Sequence, residues 1–319
     1  MYRIGIDIGG TSIKIGLVDD RLEIVRRSAI PFQCVGGEKV AAMIAEEIHS
    51  LLEQAPKIET IESVGVVVPG SIDKTQSIVI DAHNLGFHDV PFRAQLQAQF
   101  PDTPVYLAND ADGAALAELG RGAFEGCKTA VLLTLGTGVG GGVILGGRMF
   151  SGGTGLGAEL GHMTLVNGGE ACTCGNNGCV EAYCSASALK RDGIRAMHAH
   201  PESMLHQKSG GDESKVDAKF VIDCAKEGDV TAKAVFDAYV DHLAAACISI
   251  VHILDPEVIA IGGGVCHAGE FLFEPLRKGI DKKCFFSEHG AIVPAVMGND
   301  AGIIGAAMLA DNARSFSIK

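Results

Sequence analysis

The sequence predicts an α/β chain built from two related lobes, and three observations carry that reading. Residues 2–28 read as strands around tight turns: residues 2–7, the turn Ile8-Gly9-Gly10-Thr11-Ser12, residues 13–18, the turn Asp19-Asp20, then residues 22–28. β-branched residues and period-2 alternation support strands there. The pattern then starts again. Residues 5–22 align without a gap over residues 132–149, with Gly9 on Gly136, Arg21 on Arg148 and Asp7 on Thr134, an offset of 127 (136 − 9). A shared strand, glycine turn, strand and turn is the shape of an internal repeat. Finally, residues 171–181 read ACTCGNNGCVE, with His162 just upstream. Cys172, Cys174, Cys179 and His162 form the ligand set of a closed, tetrahedral zinc site.

The remaining elements follow in order. Residues 39–54 place Val40, Ile44, Ile48, Leu51 and Leu52 at helical spacing. Residues 63–68 form a buried-type strand stopped by Pro69-Gly70, residues 93–100 a short helix, 105–108 a strand and 110–123 a helix. In the second lobe, 129–135 is a strand, 136–142 a glycine loop, 143–145 a strand and Gly146-Gly147 a turn. After the cysteine segment come helices at 185–198, 215–227 and 231–254, with a polar, mobile loop expected at 206–213. The strand 258–261 ends in Gly262-Gly263-Gly264-Val265 and a helix follows; 291–296 is a strand and 301–313 the last helix. The expected division is a small N-terminal lobe, 1–120, joined by the C-terminal helix 300–319, and a large lobe, 121–299, carrying the zinc motif.

With 319 residues, 47% of them hydrophobic, the chain has enough material for two sizeable cores. Net charge is −13 with no block of basic residues, which argues against nucleic-acid partners. A nucleotide is not excluded, because a few backbone N–H groups and a Mg²⁺ suffice to hold one. Met1 leads directly into YRIGIDIGG, where a signal peptide needs an apolar run, and no apolar run reaches the length of a membrane span. Three of the ten cysteines go to the zinc site, leaving an odd seven. Reduced thiols and a cytoplasmic location are expected, with no membrane partner.

Five segments carry chemistry. In Asp7-Ile8-Gly9-Gly10-Thr11-Ser12-Ile13-Lys14 the glycines let N–H groups reach phosphate oxygens, Thr11 and Ser12 add hydroxyls, and Asp7 stands at a strand end where it can hold Mg²⁺ through water. A plain hairpin turn is the competing reading. Gly136-Thr137-Gly138 opens a run that leads into a strand, not a helix, so it reads as a second phosphate hairpin and not as a dinucleotide fingerprint. Asn109-Asp110 lies between a strand and a helix; as residues alone it reads as a helix cap first and a general base second. Glu159, His162 and Glu181 offer acceptors and donors suited to vicinal hydroxyls, with one His162 nitrogen on the zinc and the other toward a ligand. Gly263 and Gly264 either receive an adenine or ribose against the backbone or serve close packing. Asp300 reads as the cap of the last helix.

Together these segments closely resemble the ROK family of repressors and sugar kinases, over almost the whole chain. DIGGTSIK, AND at residues 108–110, LGTGVGGG, GAELGH, CTCGNNGCVE and IGGGV occur in that family's order and spacing. The resemblance implies an actin-like, sugar-kinase ATPase fold of two ribonuclease H-like halves with a structural zinc knuckle. It implies ATP with Mg²⁺, a structural Zn²⁺, and phosphorylation of a hexose, most often at carbon 6. Asp110 then corresponds to the catalytic base; Asn84, Asn109, Glu159, His162 and Glu181 to sugar contacts; Asp7, Gly9, Gly10, Thr11, Lys14, Gly136, Thr137, Gly138, Gly263 and Gly264 to the nucleotide site. Within NLGFHDVPF (residues 84–92), Phe87 stands where many bacterial glucokinases have Trp. Glucose leads among substrates, with N-acetylmannosamine, N-acetylglucosamine, allose and fructose as alternatives. A homodimer or homotetramer is the implied assembly. A sugar-responsive regulator is the other functional class; its helix-turn-helix domain would precede Tyr2.

Overall fold

A computed structural model describes residues 1–316, apart from Pro56, Lys57 and Glu59. The chain forms two compact units: residues 1–128, 142–158 and 296 onward, and residues 129–141 with 159–295.

The first unit is built on β1 (Tyr2–Ile8), β2 (Ser12–Asp19), β3 (Ile24–Pro31), α1 (Gly37–Glu53) and β4 (Ser63–Val68). A small antiparallel sheet follows, β5 (Ser71–Ile72), β6 (Val79–Ala82) and β7 (Phe87–Val90), then α2 (Phe92–Gln99), β8 (Val105–Asn109) and α3 (Asp110–Arg121). The main sheet runs β3-β2-β1-β4-β8, antiparallel between β1, β2 and β3 and parallel from β1 through β4 to β8. β4 is buried at every position, as expected of a central parallel strand covered on both faces. One face packs on α1 through Val40, Ile44 and Ile48, each fully buried. The last helix, called α10 below (Ala301–Phe316), lies on β1 and β4. Glycine permits that approach: a Cβ on Gly5 or Gly65 would overlap the carbonyl oxygen of Ile303 or Ala306.

The second unit holds β9 (Thr129–Leu135) and the start of β10 (Val139–Leu145); β11 (Arg148–Met149) lies in the first. Next come α4 (Glu181–Cys184), α5 (Ala186–Ala199), α6 (Met204–Ser209), α7 (Ala218–Lys226), α8 (Val230–Leu254), β12 (Val258–Gly262), α9 (Glu270–Lys283) and β13 (Ala291–Pro294). The second sheet runs β11-β10-β9-β12-β13, the same order of connection as the first. The repeat expected from the sequence is therefore a repeat of topology: Tyr2–Ile8 and Thr129–Leu135 occupy the same place in their sheets, 127 residues apart (129 − 2).

Several expectations are corrected. Residues 142–158, expected in the large lobe, cluster with the first unit. Gly142 has no Cβ to meet the Ala115 side chain and Ala111 carbonyl of α3, and Met149 N–H donates to Asn312 Oδ1 at 3.1 Å. Only Gly136–Gly138 form a turn; Gly140, Gly141 and Gly142 are already strand. The expected loop at 206–213 begins as α6, capped by Ser203 and stopped by Gly210 at φ +67°. Asp300, expected to cap the last helix, does stand directly before Ala301, at the end of a 3-10 turn, and its carboxylate pairs with Arg27 at 3.2 Å. An apolar run of membrane-spanning length does exist: α8 has 25 residues and its most apolar stretch a mean hydropathy of 1.5. Its Phe236, Leu243 and Ile250 are buried, and it packs against α5, α7 and α9, as a core helix does.

Candidate active site

In the first unit, β1 ends at Ile8 and the chain turns through Gly9-Gly10-Thr11 into β2, with Gly9 N–H donating to Ser12 O at 2.9 Å. Asp7 and Lys14 face each other across the hairpin and pair at 3.2 Å. The Asp7 carboxyl also lies against Gly302, in the first turn of α10; a Cβ on Gly302 would come within 2.5 Å of Asp7 Cγ. The positive end of a helix dipole thus backs this carboxylate. A Cβ built on Gly10 would sit 3.5 Å from Asn84 Cβ, so the glycine turn and Asn84 are neighbours. Phe87 is fully buried, with its ring against Phe32 and Phe92 at 6.4 and 5.4 Å between centroids. It is a core residue of the small sheet.

The cap at α3 separates two roles that the sequence left together. Asn109 is the N-cap: its Oδ1 accepts from Ala111 N–H at 2.8 Å and its Nδ2 donates to Gly70 O at 2.8 Å. With Asn109 held at both ends, Asp110 is the first residue of the helix and is exposed, its Oδ1 accepting from Ala111 N–H at 2.8 Å. A carboxylate at that position gains from the helix dipole without having to cap the helix.

In the second unit, Gly136-Thr137-Gly138 turns β9 into β10, and Gly136 O accepts from Ala186 N–H at 2.8 Å. Val139 N–H donates to Glu181 Oε2 at 3.0 Å, and Thr173 Oγ1 donates to Glu181 Oε1 at 3.0 Å. Glu181 therefore ties the glycine turn to the cysteine segment. Gly138 must be glycine for this, since a Cβ there would overlap Glu181 Oε2. Gly161 similarly lets the 3-10 turn Leu160–His162 rest on the Val139 carbonyl. Glu159 is exposed at the start of that turn.

The donor atoms of His162, Cys172, Cys174 and Cys179 all lie within 4.8 Å of one another. Cys174 Sγ and Cys179 Sγ are 3.7 Å apart, and so are Cys172 Sγ and His162 Nδ1. A disulfide needs about 2.05 Å between sulfurs. A tetrahedron with Zn–S near 2.3 Å has sulfur–sulfur edges of about 3.8 Å. The Cys174–Cys179 distance is that of the second and not of the first, and all ten cysteines are free thiols. The Nδ1 atom of His162 faces the cluster, which leaves Nε2 for another partner. The segment folds around these ligands through Cys172 N–H to Asn176 O at 2.8 Å and Gly178 N–H to Glu170 O at 2.7 Å. Gly178, at φ +87°, comes so near the Val166 carbonyl that no side chain would fit. Burial pushes the Cys172 thiol up to about 12, whereas the Asn176 N–H lowers that of Cys174.

A cavity of about 440 Å³ opens beside the second glycine turn. Thr137 and Gly264 line it together with Lys190, Asp217, Lys226 and His267. Gly264 has open space at its Cβ position, while Gly263, at φ +87°, packs against the Leu135 backbone. Of the two readings of this glycine run, Gly263 serves close packing and Gly264 faces a cavity. The lining from α5 and α7 was not read from the sequence, because nothing in an amphipathic helix marks which polar residues border a hollow.

Two sheets of one order, each with a glycine turn after its first strand, define a duplicated α/β protein with a Cys₃His cluster in its second half. The comparisons give that class its family. The ROK family model matches residues 3–313. The chain is 39% identical over 315 residues to a glucokinase of Thermotoga maritima, covering 96% of each chain. Among solved structures, a ROK hexokinase from Thermus thermophilus superposes with a TM-score of 0.86 at 33% identity, covering 99% of this chain and 100% of that one. A ROK family glucokinase from Streptomyces griseus in complex with glucose and AMPPNP superposes with a TM-score of 0.78 at 31% identity, covering 97% and 99%. The chain belongs to the ROK family, and its α/β architecture of mixed sheets is the fold of that family's sugar kinases.

Proposed function

We infer that the chain transfers the γ-phosphate of ATP to the 6-hydroxyl of glucose. The observation that carries this reading is the division of labour at α3, in a chain whose full-length relatives include glucokinases. Asn109 is fixed as the cap, and Asp110 is presented one residue later as an exposed carboxylate. Asp110 accepts the proton of the sugar hydroxyl as its oxygen attacks phosphorus, and the proton stays on the carboxyl until product leaves. The same-ordered sheets support the finer reading of an actin-like fold with ribonuclease H-like halves.

Gly9, Gly10 and Thr11 in the first unit and Gly136, Thr137 and Gly138 in the second offer N–H and hydroxyl donors to phosphate oxygens. Lys14 adds a charge, and Gly264 borders the cavity that receives the nucleoside, with Gly263 shaping the turn. A bound Mg²⁺, held by Asp7 through water, would neutralise charge on the phosphates. Asn84, Asn109, Glu159, His162 and Glu181 contact sugar hydroxyls, Glu181 while bonded to Val139 and Thr173. A Zn²⁺ on Cys172, Cys174, Cys179 and His162 would supply structure and not chemistry, since four protein ligands leave no open position. His162 is then oriented by its own ligand bond, as is usual for metal-bound imidazole. Reduced cysteines accord with a cytoplasmic enzyme, and the family suggests a homodimer or homotetramer.

An ADP-release assay across glucose, N-acetylmannosamine, N-acetylglucosamine, allose and fructose tests the reading, with Asp110→Asn as the control. Glucose should give the highest kcat/KM, and Asp110→Asn should lose on the order of a hundredfold or more in kcat. Near-normal turnover by Asp110→Asn would remove the base from this account; a different preferred sugar would change the substrate alone.

A further inference from the structure

We propose that Cys34 is a positioning residue for the sugar: it pins the turn that carries Asn84 against the first glycine turn. It thereby sets the spacing between a sugar contact and a phosphate contact. The inference rests on the reading of Asn84 as a sugar ligand given above.

Asn84 is free to serve a ligand. It lies in the 3-10 turn His83–Leu85 and is exposed. Its side chain makes no hydrogen bond to the protein among the described residues. A Cβ on Gly10 would stand 3.5 Å from Asn84 Cβ and 3.7 Å from the Asn84 carbonyl oxygen. The turn is closed by Gly86 N–H to His83 O at 3.1 Å. So short a 3-10 segment has few bonds of its own, and its place must be fixed from outside.

Residues 32–34, directly after β3, supply that hold. Phe32 N–H donates to Thr11 O at 3.0 Å, which fastens one end of the segment to the glycine turn. Two residues on, Cys34 Sγ donates to the Leu85 carbonyl at 3.3 Å, the last carbonyl of the Asn84 turn. Gly86 makes room for the sulfur. It is left-handed at φ +64°, and a Cβ on it would come within 2.6 Å of Cys34 Sγ. The thiol therefore fills the notch that the missing side chain leaves. The Phe32 ring against Phe87, 6.4 Å between centroids, adds a contact just beyond that notch.

The consequence is geometric. Asn84 would bear on a sugar hydroxyl and Gly9, Gly10 and Thr11 on phosphate oxygens, and transfer requires the attacking oxygen and the phosphorus to meet. A misplacement of about 1 Å can cost on the order of a hundredfold in rate. Cys34 is bonded to the Asn84 turn and tied, through Phe32, to the glycine turn. A thiol is a weak donor, so its removal should loosen Asn84 and not displace it outright.

The test is steady-state kinetics of the full chain, with glucose and ATP varied in turn. The proteins are the wild type, Cys34→Ala, Cys34→Ser, Asn84→Ala and the double variant Cys34→Ala with Asn84→Ala. Cys34 is exposed, so its variants should fold and melt close to the wild type. Cys34→Ala should raise KM for glucose about fivefold and leave KM for ATP unchanged, as one hydrogen bond felt only by the sugar would require. Cys34→Ser keeps a donor for the Leu85 carbonyl and should recover most of the loss. The double variant should be no worse than Asn84→Ala, because Cys34 acts through Asn84. Equal KM for glucose in wild type and Cys34→Ala would overturn the positioning role and leave the sugar contact standing. Additive losses in the double variant, or an equal rise in KM for both substrates, would overturn it too. A wild-type glucose KM in Asn84→Ala would instead remove the sugar contact itself, and the proposal with it.

Discussion

Glu118 offers the sharpest quantitative test of how the first unit is held. It lies on α3, two turns beyond Asp110, and is only 1% exposed. Its carboxylate accepts three backbone N–H groups: Ala123 on Oε2 at 2.7 Å, and Val296 and Met297 on Oε1, both at 2.8 Å. One buried side chain thereby fastens the end of α3 to the loop after it and to the segment leading into α10. Glu118→Ala leaves three donors without their acceptor, at about 1–3 kcal/mol each, partly relieved by water and by loss of a buried charge. A net loss of roughly 3–5 kcal/mol is expected, out of a typical domain stability of about 5–15 kcal/mol. Glu118→Gln keeps one acceptor oxygen, enough for Val296 and Met297, and sets an amide N–H₂ against the Ala123 N–H, for a loss of about 1–2 kcal/mol. For a unit of this size those losses amount to a melting-temperature drop of about 10 °C for Ala and about 4 °C for Gln. Differential scanning calorimetry, with near-UV circular dichroism at 25 °C to confirm folding, reads both values. A drop under 2 °C for Glu118→Ala, or equal drops for the two variants, would refute the accounting by lost acceptors.

Three other outcomes are expected. Cys179→Ser, at a fully buried ligand position, should lower bound zinc and melting temperature together, measured by metal analysis and calorimetry; wild-type protein that is free of zinc would reject the structural ion. Gly138→Ala should push the Glu181 carboxylate off Val139, raising KM for ATP and for sugar while thermal stability changes little; unchanged KM values would show that Glu181 can move without consequence. Burial raises the Asp73 carboxyl, but hydrogen bonds from the Thr75 hydroxyl and from the N–H groups of Ile78, Ser77 and Thr75 outweigh it and hold the group at about 2, against an ordinary 3.8. A depressed folded-state value stabilises above 3.8 and is lost as pH falls through about 2, so wild type should lose its advantage over Asp73→Asn across that window. An acid-denaturation difference that stays constant from pH 5 to pH 2 would contradict the turn's role.

Much of this was legible in the chain because local rules and tertiary needs coincide. The glycine turns at Gly9 and Gly136, the strands around them and the offset between the two sheets all follow from patterns of a few residues. The gathering of His162 with Cys172, Cys174 and Cys179 was legible because three cysteines within eight residues, interleaved with glycines, leave a short segment few ways to hold them apart. The failures lie where a distant part of the fold decides. Gly140–Gly142 look like loop, yet β10 needs glycine at Gly142 because α3 lies against it. The small sheet β5-β6-β7 has strands of two to four residues, too short for periodicity to register. The cap at Asn109 was anticipated, but which of two adjacent polar residues would hold the helix depended on the Gly70 carbonyl, 39 residues earlier. The cavity lining on α5 and α7, and Glu118, carry no local signal.

The seating of α10 on β1 and β4 has a bearing on synthesis. A chain leaves the ribosome from its N-terminus, and domains generally fold as units while they emerge. Here the first 128 residues precede the second unit, but the helix that covers one face of their sheet follows it. Residues 129–295 contain all of the second unit and emerge before α10 exists. The part that starts first therefore finishes second, and its glycine-notched strands, at Gly5 and Gly65, must wait with one apolar face bare for most of translation. A nascent chain stalled before residue 296 would display that face to chaperones, and ribosome-bound intermediates of increasing length should show protection in the second unit ahead of the first.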